Sequence, residues 1–538
     1  VVKIYSTPAS NTVNDAALSI TGLTAIHTDH NITLVVNPTS NELQVTESGG
    51  LASVDTYEIL TGKTLNIAAG NLNGATFTGD GVVAVRASGD YSTATFSGNV
   101  SIDVKDTAAL TLDAVDATTR TITASGSGNG SVAINAGAPA TAYDFSGIAT
   151  GLTTTLLYVS TGTIAPSTVT NWSPIDTVNI QGPSNNFDAQ NDVGTGGANA
   201  ITVVGHGYSV GNRIFYNDGD GTGIGLTSDT VYYVESVVDA NNFTVSATSG
   251  GAAVALTALG GSETHTVRLA PDVTISAAGL SGKTVNALTG ASVIVSLDDT
   301  AGLDFSNTTV ASGGTFTATV SADTTLASDT DLGALTVSVD VNKTLTLTAA
   351  QATGKTITGN GSLTITGATP TTQYDFSNIN MGTGVATLKT SGSGTLLDTA
   401  AYQDFQADSA VNGTDETITI VGHGFTNGQR IQYNTSGTDI NNLTSGNTYY
   451  VLNATTDTFK VAATSGGSAI NITAGAAETH QFRLLGTDLT GIEAITTSGT
   501  DTLTLTANQA GAKTLTTSGS SDSMVINVAT GNDLSGGG

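Results

Sequence analysis

The chain copies itself. The segment ITVVGHGYSVGNRIFYN, from Ile201 to Asn217, returns as ITIVGHGFTNGQRIQYN from Ile418 to Asn434, with no gap between the two copies. The register set by Ile201 and Ile418 holds through Leu226-Thr227-Ser228 and Val231-Tyr232-Tyr233-Val234, which return as Leu443-Thr444-Ser445 and Thr448-Tyr449-Tyr450-Val451. It slips by one where Phe243-Thr244-Val245 meets Phe459-Lys460-Val461, and by one more where Glu263-Thr264-His265 meets Glu478-Thr479-His480. Two single-residue deletions in turns produce that drift. Such self-similarity marks a repeat architecture, in which each unit buries its apolar face against its neighbours.

We call this unit the His-Gly module and place it at 195–269 and 412–484. Apolar–polar alternation between Gly-, Asn- and Asp-rich turns predicts a small β-sandwich or barrel. The flanking chain also recurs. Leu110-Thr111-Leu112 with Arg120-Thr121-Ile122-Thr123 matches Leu345-Thr346-Leu347 with Lys355-Thr356-Ile357-Thr358, and Tyr143-Asp144-Phe145-Ser146 returns as Tyr374-Asp375-Phe376-Ser377. A third partial copy, DTLTLTANQAGAKTLT, starts at Asp501. The expected order is an N-terminal β segment (1–50), a Thr/Gly-rich β module (51–194), a His-Gly module, the Thr/Gly-rich module again (270–411), the second His-Gly module, and a partial third Thr/Gly-rich module (485–538).

The fold class that follows is all-β, a tandem array of β-sandwich or β-solenoid-like modules with two module types alternating. Periodicity does not separate sandwich from solenoid. Thr suits these strands, because its branched Cβ favours extended backbone while its hydroxyl keeps the outer face wet and can pair across strands. Helix is expected to be scarce. At 538 residues the chain exceeds a single core, and about three to six modules are expected.

Composition narrows the function classes. Lys and Arg number 15 against 44 Asp and Glu, a net charge of −29, although only 11% of residues are charged. A chain of that sign repels phosphate backbones, which excludes nucleic acid as a natural partner and favours cations. Val, Ile, Leu and Thr alternate too regularly for a disordered acidic tract. With no Cys, disulfides, thiolate metal sites and thiol nucleophiles are out of reach. No run of eighteen apolar residues occurs, so no transmembrane segment is expected, and a chain opening at Val1 without a basic or apolar leader reads as a mature or trimmed product.

At the C-terminus, Gly531-Asn532-Asp533-Leu534-Ser535-Gly536-Gly537-Gly538 resembles the start of the GGxGxDxUx nonapeptide array of RTX proteins. The stretch LTLTAAQATGKTITGNGSLTIT, Leu345 to Thr366, resembles modules of large secreted RTX-type adhesins and S-layer proteins of Gram-negative bacteria. The His-Gly module is similar to one found in phage tail proteins and giant surface proteins. The RTX resemblance implies Ca²⁺ held between turns of a parallel β-roll by Asp side chains and backbone carbonyls, with Asp533 as the one residue that maps onto the motif. It also implies secretion to the bacterial cell surface.

Asp218-Gly219-Asp220-Gly221 alternates carboxylates as a Ca²⁺ loop does. Its counterpart Asn434-Thr435-Ser436-Gly437 has none, which favours an ordinary solvated turn. Asp188 with Asp192, Asp298-Asp299, and Asp329 with Asp331 offer further oxygens at module junctions. Four of the six histidines, His206, His265, His423 and His480, fall at equivalent places in the two modules. Glu263 and Glu478 stand two positions before His265 and His480 and so share a strand face, one geometry for a metal. The stronger reading makes Gly205-His206-Gly207 and Gly422-His423-Gly424 tight turns, in which the imidazole satisfies backbone groups while Gly takes unusual φ.

No G-x-S-x-G elbow, P-loop or dinucleotide fingerprint appears, and a single Trp, Trp172, with 5% aromatics is poor lining for a carbohydrate-active groove. Sequons at Asn171, Asn242 and Asn442 arise readily in a Thr- and Asn-rich chain. The chain is therefore expected to be a non-enzymatic extracellular structural protein that self-assembles into a surface layer or filament, joined by strand edges and Ca²⁺, with a surface polysaccharide of the outer membrane as a further partner. An adhesin stalk and a phage tail or fibre component are the alternatives.

Overall fold

The computed structural model describes residues 2–6, 12–13, 32–36, 42–45, 54–67, 74–136, 143–158, 162–163, 171–182, 184–219, 221–287, 289–297, 302–311 and 314–527. About 44% of the chain is strand and 5% helix. The chain divides into two compact units, one covering 1–299, 303–319 and 331–335, the other 300–302, 320–330 and 336–538.

Each unit is a β-solenoid of stacked parallel strands. In the first, Leu110 lies opposite Val132 and Val132 opposite Thr154, so the chain returns on itself once per turn. The hydrogen bond from the Thr154 N–H to the Asp176 carboxylate in the next layer spans one such turn, 22 residues. The alternation of the sequence sets which side chains face in. Leu112, Ile134, Leu156, Val178 and Val285 stand in one file across successive strands, all buried, while the residues between them face out. In the second unit the equivalent file is Leu347, Ile365, Leu388 and Ile495. Each such side chain taken from water contributes roughly 1.5–3 kcal/mol, and stacking supplies the partner that no single turn has.

Four corners of the solenoids share one build. The one-turn helices Ala114–Ala117, Ala277–Leu280, Ala349–Ala352 and Ala507–Ala510 each follow a strand and start on a residue, Asp113, Ser276, Thr348 or Thr506, whose side-chain oxygen accepts a backbone N–H of the helix. Such a cap stabilises by about 1 kcal/mol. Thr348 and Thr506 complete capping boxes with Gln351 and Gln509. Their amides then reach the adjoining layer: Gln351 Nε2 donates to the carbonyls of Ala327 and Thr330, and Gln509 Nε2 to that of Leu397. The chain leaves three of these corners through a residue at positive φ, Thr119, Gly282 or Gly354, whose N–H donates to the carbonyl of Asp144, Asp304 or Asp375 in the next turn. The cation that follows fills the last acceptors, as where Arg120 donates to the carbonyls of Phe96, Val100 and Asp116, and Lys513 Nζ to those of Leu489 and Ile492.

The two module types alternate along the chain, but the His-Gly modules are excursions from a solenoid that closes behind them. Thr177–Ile180 pairs in parallel with Thr284–Ala287, and the Asn286 side chain donates to that of Asn179 across this pair, a step of 107 residues. In the second unit Thr387 lies opposite Ala494, and the Glu493 carboxylate accepts the Ala386 N–H across the same 107 residues. The first excursion is a six-stranded antiparallel sheet whose core gathers Phe187, Tyr208, Tyr216 and Phe243. The second is a seven-stranded sheet around Phe405, Phe425, Tyr433, Phe459 and Phe482. Both modules are antiparallel and have cores of their own, whereas the solenoid layers are parallel.

Candidate functional site

The histidines are buried in both modules. His206 Nδ1 accepts the N–H of Tyr208 at 2.9 Å, and His423 Nδ1 that of Phe425 at 2.9 Å. The flanking glycines hold positive φ, +64° and +66° at Gly205 and Gly207, +65° and +69° at Gly422 and Gly424. Each ring then packs edge-on against Phe243 or Phe459. These are the tight turns that the sequence suggested, with the imidazole serving as a backbone acceptor.

The other pair forms a second constant feature. The Tyr433 hydroxyl accepts the N–H of Ile440 at 3.0 Å and shares a hydrogen bond with His480 Nδ1, 2.6 Å away. Tyr216 and His265 make the same contact at 2.7 Å. Burial raises the Tyr433 hydroxyl to about 12 and lowers the His480 imidazole below its ordinary value, although Glu478 and Asp439 pull the latter upward. His265 Nε2 lies 3.7 Å from Glu263 Oε2, so histidine and glutamate do share a face there. The glutamates are already engaged: Glu263 Oε2 accepts the Thr222 N–H and Glu478 Oε2 that of Thr438, both at 2.7 Å.

Among the described residues no three His, Asp or Glu side chains converge as a metal cluster. Asp218 donates its N–H to Ser228 and accepts that of Gly221 on its carbonyl, as a solvated turn does. Asp220, Asp533 and the pair Asp298-Asp299 lie outside the described residues. Asp188 and Asp192 are close, but as a hydrogen-bonded turn. Asp188 accepts from Ser262, Gln190 and Asn191, which hold its carboxyl down at about 2, and Asp192 accepts the Asp188 N–H. Asp331 accepts the Gly333 N–H.

One functional group escaped sequence reasoning. Arg430, nine-tenths buried, stands at the root of the second module, with Nη1 2.8 Å from Asp375 and Nη2 donating to the carbonyls of Tyr374 and Gly486. Gln373 clasps the same strand, accepting the Arg430 N–H and donating to the carbonyls of Arg430 and Leu485. A polar cleft of about 420 Å³ opens on one side of Arg430, lined by Asp398, Asp488 and Lys513, and one of about 370 Å³ on the other, lined by Lys355 and Tyr450. In the first module Arg213 pairs instead with Asp272, the first residue of the returning solenoid strand. The signal was present in the repeat, as the arginine of GNRI and GQRI, but a cation in a strand gives no hint of its partner.

Compared with known proteins, the chain matches no protein-family model, no curated protein and no solved structure. Among the described residues no helix is long and apolar enough to cross a membrane.

Proposed function

We propose that this chain is an extracellular structural protein of a bacterial surface, of the RTX-like, S-layer or giant-adhesin kind, that assembles with its own copies into a layer or filament. The observation that carries this reading is the excursion geometry. Both solenoids close behind a self-contained module at the same step, Thr177 to Thr284 and Thr387 to Ala494, which makes each solenoid a scaffold and each module a displayed block. Polar side chains inside the protein are spent on holding layers together, as with Gln351, Arg120 and Arg430. Parallel solenoids accept neighbours by edge and face contacts. With a net charge of −29, copies repel unless divalent cations screen or bridge their carboxylates, so Ca²⁺ acts between copies in this reading.

Sedimentation velocity with millimolar Ca²⁺, then with excess chelator, tests it. Large species that revert to a single slow boundary on chelation are expected. A single slow boundary under both conditions would argue for an adhesin stalk that works as separate molecules.

A further inference from the structure

A groove runs along the root of the second module, where the strand that begins at Arg430 meets the solenoid corner at Gln373. It joins the cleft of about 370 Å³ beside Arg430 to a neighbouring one of about 290 Å³, and Gln373 and Gly428 line both. Its polar groups are fixed in place. The Asn427 side-chain oxygen accepts the Ala454 N–H at 2.7 Å, and that of Gln429 accepts the Thr426 N–H at 2.8 Å. A backbone donor thus orients each amide and leaves its NH₂ group to donate elsewhere. Tyr450, half-buried, lines the larger cleft, near enough to Asp375 and Arg430 for both charges to act on its hydroxyl.

We propose that this groove binds a short, neutral oligosaccharide. Clefts that take small ligands run from about 300 to 1,000 Å³, and they favour junctions between structural blocks such as this one. Chemistry chooses among occupants. Asp375 is the one carboxylate in the wall, and both of its oxygens are engaged, one by Arg430 and the other by Ser377, so a cation finds no open ligand. An anion is disfavoured by the net charge of −29. A protein partner needs a cluster of apolar anchors, whereas Tyr450 is the only half-exposed ring in the wall. A sugar fits what remains: hydroxyls for the oriented amides and for Ser465, and an apolar ring face for the tyrosine. Donors held in place before contact lower the ordering cost of binding. The first module has the exposed Val210 where the second has Asn427, and Ala142 precedes Tyr143 where Gln373 precedes Tyr374, so this set of groups belongs to the second module.

The groove adds a ligand to the surface role and stands whether or not copies assemble, so its test is run in chelator and its failure leaves the assembly reading untouched. Calorimetric titration with neutral trisaccharides of glucose, galactose and mannose would be measured for the full chain, for Asn427→Val, which copies the first module, for Tyr450→Ala, and for Val421→Asn at an exposed site that does not line the groove. Binding of at least one of the three is expected for the parent and, equally, for Val421→Asn. Asn427→Val should bind about fivefold more weakly, the worth of one neutral hydrogen bond, and Tyr450→Ala should lose binding altogether. Circular dichroism establishes that each variant is folded; if Tyr450→Ala is not, Asn427→Val decides, because the first module folds with valine at that place. A parent chain that binds none of the three at millimolar concentration, or a folded Asn427→Val equal to Val421→Asn, overturns the proposal. So does a groove that takes a short glutamine peptide or an acidic trisaccharide in place of the neutral sugars.

Discussion

The buried Tyr433 hydroxyl is bonded to both the Ile440 N–H and His480 Nδ1, and both lose their partner if its oxygen is removed. Tyr433→Phe should therefore cost about 1–3 kcal/mol, read from the urea midpoint of the second module. Arg430→Met leaves Asp375 without its cation and should cost more, about 3–5 kcal/mol, by the same measurement. The His480 imidazole has a pKa below its ordinary value because burial among Phe405 and Tyr433 disfavours the charged ring. The unfolded chain takes up that proton near pH 6.5 while the folded one resists it. Its contribution is thus intact above about pH 6.5 and declines as pH falls below it, and His480→Gln should flatten that slope in a pH series of unfolding curves. Asp188 acts further down the scale: its carboxyl is held at about 2, so its contribution is present above the ordinary carboxylate value and is lost as pH falls toward that figure.

Corners, at the scale of elements, are where the solenoid is tuned. Ala512 holds φ +57° at the place that Gly282 and Gly354 fill elsewhere. A left-handed alanine costs about 1–2 kcal/mol, and glycine returns part of that as extra freedom of the unfolded chain. Ala512→Gly should raise stability by up to about 1 kcal/mol, seen as a higher thermal midpoint. Gly359→Ala should do the reverse, since a Cβ there would clash with the Val339 carbonyl oxygen and Gly359 holds φ +125°. The strands were legible in the sequence because Leu-Thr-Leu-Thr alternation maps directly onto inside and outside. The four-residue helices were not, because one turn is too short to show a helical period of about 3.6. Their one sequence sign is the Thr348 and Gln351 spacing of a capping box.

The whole molecule turns on strand pairing that skips a module, which no local pattern reveals. The repeat began the modules at 195 and 412, whereas their sheets take in the earlier strands Ser184–Asp188 and Gln403–Gln406, and Thr177 finding Thr284 on the far side of one depends on the solenoid register. Gly182 donates its N–H to the Leu269 carbonyl at 3.0 Å, so the two ends of the first module meet. Removing 183–270 and joining Gly182 to Pro271 should leave a β-rich, cooperatively folding chain by circular dichroism, because the solenoid strands already pair; loss of folding would show that the module is part of the scaffold. The candidate site was legible only as equivalent histidines, and their partners, Tyr216, Tyr433 and the amides of Tyr208 and Phe425, come from the antiparallel pairing of the module. Electron microscopy of the purified chain in millimolar Ca²⁺, repeated after chelation, tests the structural role most directly. The account predicts a lattice or uniform filament that disperses when Ca²⁺ is removed, and separate, unassembled particles in both conditions would contradict it.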